Sequence, residues 1–410
     1  MIFFGFVAFF NIFCDNWVSH SFVIIFLLNG GDMRFIHTSD WHVGRFLHER
    51  SLIEDQHYVL SQISRLIKEY KAEALIISGD LYDRSIPSPD AVRLLDEILS
   101  EIIIDRKIPI LIINGNHDSP ERLSFGSKIF SSNKLFIKTS FKDVFEPLEL
   151  EDEWGKVAFW FLPYMTLDFL KSNLKDEGIK NYDEAVKKIS KKITESFNSS
   201  RNVLLAHLFV ENGVTSESER PFSVGGTDAV NPSAFKDFSY VACGHLHRPQ
   251  ERNNLVYSGS PYKYSFSEAD HKKRYILADI GKNGEVKTEN LEIKFKRDLR
   301  IVEGKIDDIL KNGEKDGNKD DYILANILDK EIIYDPVGKI SKVYPNILKI
   351  ERPDIPIRSY SVTTEEIQKS ESPLRLFEKF YKDIWGEDPS KKEIKAVEEI
   401  LKDISKEEGV

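Results

Sequence analysis

From Met33 to about Ile280, short apolar runs alternate with stretches whose apolar residues recur every three or four positions. Phe35-Ile36-His37-Thr38, Ala74-Leu75-Ile76-Ile77, Ile108-Pro109-Ile110-Leu111-Ile112-Ile113, Val203-Leu204-Leu205-Ala206 and Tyr240-Val241-Ala242-Cys243 have the length and near-continuous apolarity of buried strands. Between them, Leu52, His57, Tyr58, Leu60, Ile63, Leu66 and Ile67 mark a helix over residues 51–71, and Val92, Leu94, Leu95, Ile98, Ile102 and Ile103 mark another over 90–104. A third helix is expected over 183–197. Leu255-Val256-Tyr257 and Tyr275-Ile276-Leu277-Ala278 read as further strands, with Lys282-Asn283-Gly284 predicting a type I′ hairpin turn. The alternation predicts an α/β layered domain, central β-sheets flanked by helices.

Each of the five buried runs ends in polar residues. They deliver Ser39-Asp40-Trp41-His42, Ser78-Gly79-Asp80-Leu81-Tyr82-Asp83, Asn114-Gly115-Asn116-His117-Asp118, His207, and Gly244-His245-Leu246-His247. Functional residues of α/β sheets gather at the carboxyl ends of strands. One histidine at a strand end is ordinarily a satisfied polar residue, but this set has no shared structural purpose. Asp40 and Asp80 buried together without a cation would repel each other. The set therefore predicts a metal site in which one carboxylate bridges two cations, with Asp and His on one side and Asn and His on the other. Mixed nitrogen and oxygen donors suit Mn²⁺, Fe²⁺ or Zn²⁺ better than Ca²⁺. Such a pair activates water and clamps phosphate oxygens. His117, next to Asn116, is available to protonate a leaving oxygen or to neutralise transition-state charge.

Taken in order, Asp40-x-His42, Gly79-Asp80-x-x-Asp83, Gly115-Asn116-His117-Asp118, His207 and Gly244-His245-x-His247 resemble the motif series of calcineurin-like metallophosphoesterases. The fuller wording His37-Thr38-Ser39-Asp40-Trp41-His42-Val43-Gly44, with Tyr257-Ser258-Gly259-Ser260-Pro261, resembles the SbcD-type DNA exonuclease subunits. The resemblance implies two divalent ions, Mn²⁺ above all, with Asp40, His42, Asp80 and His247 at one and Asp80, Asn116, His207 and His245 at the other. His117 matches the catalytic histidine. Related eukaryotic and archaeal nucleases carry histidine where Asp83 stands; here Asp83 either orients His117 by accepting a hydrogen bond or caps the turn. The resemblance further implies exonuclease and hairpin-endonuclease activity on double-stranded DNA ends, an SbcC-like coiled-coil ATPase partner, and two copies of each subunit. Two rival readings remain at this point: a metallophosphoesterase acting on a nucleotide or phosphoprotein, which would not need the long segment after residue 286, and a non-catalytic scaffold for a partner.

Composition shifts after Lys287. Residues 33–286 are read as the nuclease domain, 287–352 as a small α+β capping domain without histidine, and 353–371, with Pro353 and Pro356, as a linker. Residues 372–410 are read as two helices. Ser372 and Pro373 start the first, Leu374, Phe377, Tyr381, Ile384 and Trp385 form its apolar stripe, and Gly386 stops it; Pro389 opens the second, with Ile394, Val397, Ile400, Leu401 and Ile404. The stripe suits docking on the ATPase, packing on the second helix, or both.

Composition completes the picture. The chain is 41% hydrophobic and 30% charged, which excludes the disordered and collagenous classes. Its net charge of -10 argues against a general polyanion binder, although a bound metal pair inverts the local field. Cys14 and Cys243 show no zinc spacing and fit a reducing cytoplasm, with Cys243 a buried small hydrophobe. Residues 1–32 contain no Lys or Arg, and their two apolar blocks fall short of the ~18–20 residues of a membrane span. They are read as an upstream extension with Met33 as the natural start, against a membrane-associated leader. Lys272-Lys273-Arg274 is expected to be solvated surface, Gly225-Gly226 a flexible loop, and Trp41 to pack beneath the site.

Overall fold

A computed structural model describes residues 31–219, 229–353 and 372–407. The expectations for residues 1–30, Gly225-Gly226 and the linker from residue 354 onward lie outside the described residues. Contacts divide the chain into Met1–Lys296 and Arg297–Val410.

The first unit is built on two six-stranded sheets. One runs Val286–Glu292, Arg274–Ile280, Met33–Thr38, Ala74–Ser78, Ile110–Ile113, Leu135–Lys138, with its last four strands parallel. The other runs Gln250–Arg252, Leu255–Tyr257, Tyr240–Gly244, Asn202–His207, Gly155–Leu162, Leu148–Asp152, with four parallel strands between two antiparallel edges. The inner faces pack on each other through Phe35, Ile76 and Leu111 from one sheet and Phe159, Val203, Leu205 and Ala242 from the other. Phe35 meets Phe159 edge-on at 5.9 Å and Tyr240 at 5.5 Å. Helices cover the outer faces, which explains why the central strands read as continuous apolar runs. Helix Tyr182–Thr194 lays Ala185, Val186, Ile189 and Ile193 against Leu204, Ala206, Val241 and Cys243. Cys243 is buried with its thiol free, as its sequence context suggested. On the other side the predicted helix over 51–71 forms as Ile53–Leu60 and Gln62–Tyr70, and Tyr275 bonds the Val59 carbonyl at 2.8 Å to pin it.

Three sequence expectations change. Strand Val286–Glu292 pairs along its whole length with Arg274–Ile280, so the first unit extends through Lys296 and the shift in composition at Lys287 falls inside a sheet. The connecting turn has one left-handed residue, Gly284 at φ 88°, where a type I′ turn needs two. Gly281 and Gly284 close it with a 3.1 Å hydrogen bond, and a Cβ on Gly284 would sit 2.3 Å from the Ser200 carbonyl. Lys273 is not solvated surface: it is 3% exposed and its ammonium is bonded to the Glu268 carboxylate and to Ser260 Oγ at 2.7 Å.

The second unit holds three parallel strands, Leu299–Gly304, Tyr322–Ile327 and Ile347–Glu351, with helices Ile306–Gly313 and Pro336–Ile340 as crossovers. This is a small α/β layer where α+β was expected. Its core is Ile306, Ile309, Ile323, Ala325, Ile327, Ile340 and Tyr344. Helix Pro373–Trp385 follows Ser372 and ends at Gly386 in the left-handed region (φ 74°). The next helix, Lys391–Glu407, starts two residues later than Pro389 suggested, because Ser390 and Glu393 form a reciprocal capping box. Tyr381 donates to Glu393 at 2.8 Å and ties the two helices together. No helix of the described residues is long and apolar enough to cross a membrane.

At the sheet edge opposite the polar loops, Arg201 is buried and forks onto Asp152, with one arm at 2.7 Å; its other donors reach the carbonyls of Gly155, Ile280 and Gly281 at 3.0 Å. These bonds fasten one sheet to the last strands of the other. Replacing Asp152→Ala leaves a buried guanidinium without its counter-charge and is expected to cost about 3–5 kcal/mol of unfolding free energy in urea titration. A loss under about 1 kcal/mol would be the behaviour of an exposed pair.

Candidate metal centre

The loops after Thr38 and Ser78 do not separate when their strands end. Asp40 N–H donates to the Gly79 carbonyl at 3.0 Å, His42 N–H to Asp80 at 3.0 Å and Val43 N–H to Leu81 at 2.8 Å. With the loops held paired, Asp40 (φ 54°), His42 (φ 44°) and Asp80 (φ 52°) take up the left-handed region, as does His245 (φ 101°) on the loop after Gly244. Such conformations cost of order 1–3 kcal/mol each and persist where surroundings over-determine them. The surroundings are visible here. The Asp118 carboxylate accepts from Gly115, Tyr82 and Leu81 N–H at 3.0, 3.0 and 3.2 Å, stapling one loop to the next. Gln56 accepts from Gly44 N–H at 2.9 Å and donates to the His42 carbonyl at 2.7 Å. The glycines in the motifs follow from this crowding: a Cβ on Gly115 would lie 2.1 Å from Asp80 Oδ1, and one on Gly244 would lie 2.0 Å from the Ser78 carbonyl.

The structure brings the nominated side chains to one place. Asp40, His42 and His247 offer ligand atoms within 4.8 Å of one another, as do Asp40, Asp80 and His207, and His42, Asp80 and His117. Asp80 Oδ2 stands 3.6 Å from His42 Nε2 and 3.5 Å from His207 Nε2. His42 Nε2 faces His247 Nε2 at 3.0 Å, and Asn116 Oδ1 faces His207 Nε2 at 2.9 Å. His245 presents its N–H to both oxygens of Asp40 (2.9 and 3.1 Å), and its ring lies edge-on to His207 at 5.5 Å. His207 Nδ1 donates to the Ser78 carbonyl at 2.9 Å, so its proton is on Nδ1 and Nε2 keeps its lone pair.

The His117 backbone N–H is bonded to Asp80 Oδ1 at 2.8 Å, and its ring meets His42 edge-on at 4.6 Å. Its Nδ1 donates to Asp83 at 2.8 Å, but to the backbone carbonyl. The Asp83 carboxylate is engaged elsewhere, with Arg45 Nη1 at 2.8 Å. Trp41 is fully buried below the loops, its indole bonded to Thr38 Oγ1 at 3.0 Å. His37, close in sequence, is a structural histidine: it lies between Tyr240 OH at 3.0 Å and Ser78 Oγ at 3.3 Å.

The electrostatics describe a site short of positive charge. Burial pushes the Asp40 carboxyl up to about 8, with His207 opposing and Asp80 adding to the rise. Burial and then mutual repulsion drive the His42 and His245 imidazoles well below their usual value, and burial lowers those of His207 and His247. Neutral imidazoles are the form that binds metal. Two buried carboxylates, four neutral imidazoles and the Asn116 amide oxygen form a donor set that fits divalent cations.

A family model described as calcineurin-like phosphoesterase matches residues 33–249. The SbcD component of nuclease SbcCD from Staphylococcus epidermidis (strain ATCC 12228 / FDA PCI 1200) is 36% identical over 380 residues, spanning 92% of this chain and 100% of the relative. The chain belongs to the SbcD-type calcineurin-like phosphoesterases. It is a metal-dependent phosphodiester hydrolase. A second model, described as the type 5 capsule protein repressor C-terminal domain, matches residues 296–384 of this SbcD-type chain. Among solved structures, TT1561 of Thermus thermophilus matches 63% of the chain and 99% of its own length, at 15% identity and a TM-score of 0.35. A dimetal phosphatase from Danio rerio matches 64% and 100%, at 13% identity and a TM-score of 0.38.

Gln56, which bonds Gly44 and the His42 carbonyl, lies outside the sequence motifs. Gln56 had left a trace, since it is polar within the apolar spacing of Leu52, Leu60 and Ile63. Substituting Gly115→Ala is expected to cost about 1–3 kcal/mol by overpacking and to displace Asp80. Elemental analysis of the purified protein should show reduced bound metal; full metal content at unchanged stability would mean that the loops stand farther apart than these contacts imply.

Proposed function

We propose that Asp40, His42, Asp80 and His247 hold one divalent cation and Asp80, Asn116, His207 and His245 the other, with Mn²⁺ the expected ion. The observation that carries this reading is Asp80 Oδ2, equidistant within 0.1 Å from two imidazole nitrogens at 3.6 and 3.5 Å. Those distances are too long for hydrogen bonds and would let Asp80 serve one cation beside His42 and another beside His207. When bound, the pair supplies Lewis acidity that activates water and neutralises phosphate charge. The chain's own residues supply the rest. Asp80 fixes the His117 backbone N–H, and the Asp83 carbonyl fixes its Nδ1 proton, so Nε2 is the atom that can carry a proton to the leaving oxygen. The Asp83 carboxylate anchors Arg45 beside the site.

The substrate in this reading is DNA, cleaved at double-stranded ends and hairpins, in a cytoplasmic complex with two copies of a coiled-coil ATPase and two of this chain. The relative's designation as the SbcD component of nuclease SbcCD supports it. So does the terminal helix pair. Leu374 and Phe377 are half-buried and Ile400 of the second helix is 58% exposed, so the apolar face of the pair has surface left to offer a partner.

His117→Gln should keep both metals and lose about 10²- to 10⁴-fold in DNA cleavage, with little loss on bis(p-nitrophenyl) phosphate, whose leaving group departs unprotonated. Equal losses on both substrates, or loss of metal, would remove His117 from the role of acid. Asp83→Asn keeps the carbonyl and should not reproduce that leaving-group pattern. Removing residues 372–410 should abolish capture of the ATPase while hydrolysis of the small diester continues; undiminished capture would put the docking surface elsewhere.

A further inference from the structure

One buried polar group has no part in the chemistry above. Glu268, in the short turn Phe266–Glu268, forms a salt bridge with Lys273 in a site where both side chains are fully buried. The same carboxylate, through Oε1, receives the hydroxyl of Ser218 at 2.5 Å. Ser218 Oγ is in turn 2.6 Å from His247 Nδ1. His247 is gripped at its backbone as well: its N–H donates to Glu219 Oε1 at 2.6 Å, and its carbonyl accepts from Lys273 Nζ at 2.7 Å. Two separate segments, residues 218–219 and 268–273, thus converge on one histidine.

The direction of each proton follows. An ionised carboxylate has only acceptor sites, and the adjacent ammonium favours the ionised form of Glu268. Ser218 therefore spends its single proton on Glu268 and can only accept from the imidazole. That places the His247 proton on Nδ1 and leaves the Nε2 lone pair directed at His42 Nε2, 3.0 Å away, inside the Asp40–His42–His247 group.

We infer that Ser218 and Glu268 are positioning residues, a hydroxyl–carboxylate relay that sets the tautomer and ring orientation of His247 and so tunes one of the two cation sites. Lys273 holds the relay's charge in place. The inference rests on the metal assignment proposed above and adds a selectivity that assignment does not contain. Nothing in the relay touches His207, Asn116 or His245 through a hydrogen bond, so the second cation should not feel its loss. Outer partners of metal-binding histidines are typically worth 10- to 100-fold in affinity.

Calorimetric titration of the full chain with Mn²⁺, and the visible absorption of the Co²⁺-loaded protein, test it without recourse to activity. The wild type should bind two ions. Ser218→Ala, which removes one oxygen, should weaken one of them about 10- to 100-fold, leave the other unchanged and alter one component of the Co²⁺ spectrum. Ser218→Thr should restore the tighter value. Glu268→Gln, checked for folding by its melting curve, should weaken the same site. Two unchanged affinities in Ser218→Ala would overturn the relay while leaving the metal assignment intact. Equal weakening of both sites would also overturn it, in favour of general disorder of the loops. A wild-type chain that binds no Mn²⁺ would overturn both readings.

Discussion

Asp40 and Asp80 place two carboxylates in a nearly water-free seam between two sheets, and the surrounding architecture answers that concentration of negative charge. An isolated buried carboxylate is expensive and tends to take up a proton. Here the rise of Asp40 toward neutral pH shows the same tendency in the protein alone. A fold that wanted only stability would place apolar residues in such a seam. This one instead spends left-handed backbone at Asp40, His42, Asp80 and His245 to keep oxygen and nitrogen donors converging there. A bound metal would neutralise the charge, and the strain is carried by the hydrogen bonds that hold the loops together.

The two ends of the sandwich solve opposite problems. Far from the site, Arg201 satisfies Asp152 and three carbonyls at once, so a buried charge becomes a fastener. Near the site, hydrogen bonds are spent on the loops that carry the converging donors. Asp118 and Gln56 saturate backbone groups of the loops, and Ser78 orients His207 through its carbonyl.

Much of this was legible in the sequence because strand ends and ligands coincide. A buried run such as Val203–Ala206 followed at once by His207 announces both the strand and the site. The motif glycines were legible as well, though their reason, the near-contact of adjacent loops, needs three dimensions. Long-range partners were not legible. Ser218 and Glu268 lie 29 and 21 positions from His247, in segments with no periodicity to mark them. Lys273 was not legible because a Lys-Lys-Arg cluster looks solvated, whereas its middle residue, just ahead of strand Arg274–Ile280, is held inward by Glu268, Ser260 and the His247 carbonyl. The end of the first unit was not legible because Val286–Glu292 is an edge strand exposed along nearly all its length, with only Leu291 buried, and so has the composition of a surface segment. Asp83 came close: sequence logic found the right residue to hold His117, but a sequence shows side chains and the bond is made by the main chain.

The registers of the parallel strands carry a further consequence. Thr38 pairs with Ile77, Ser78 with Ile113, and Gly244 with His207, so the strands finish almost flush and their first polar residues emerge along a common line. The sheets act as rulers. Each strand residue advances the chain by about 3.3 Å, whereas a metal–ligand distance tolerates only about 0.2 Å. Adding or removing a single residue inside Ala74–Ser78 or Asn202–His207 would also turn every following side chain to the opposite face. Within these strands, then, chain length is held far more tightly than side-chain identity: one apolar residue can replace another, but the number of steps to the edge cannot change.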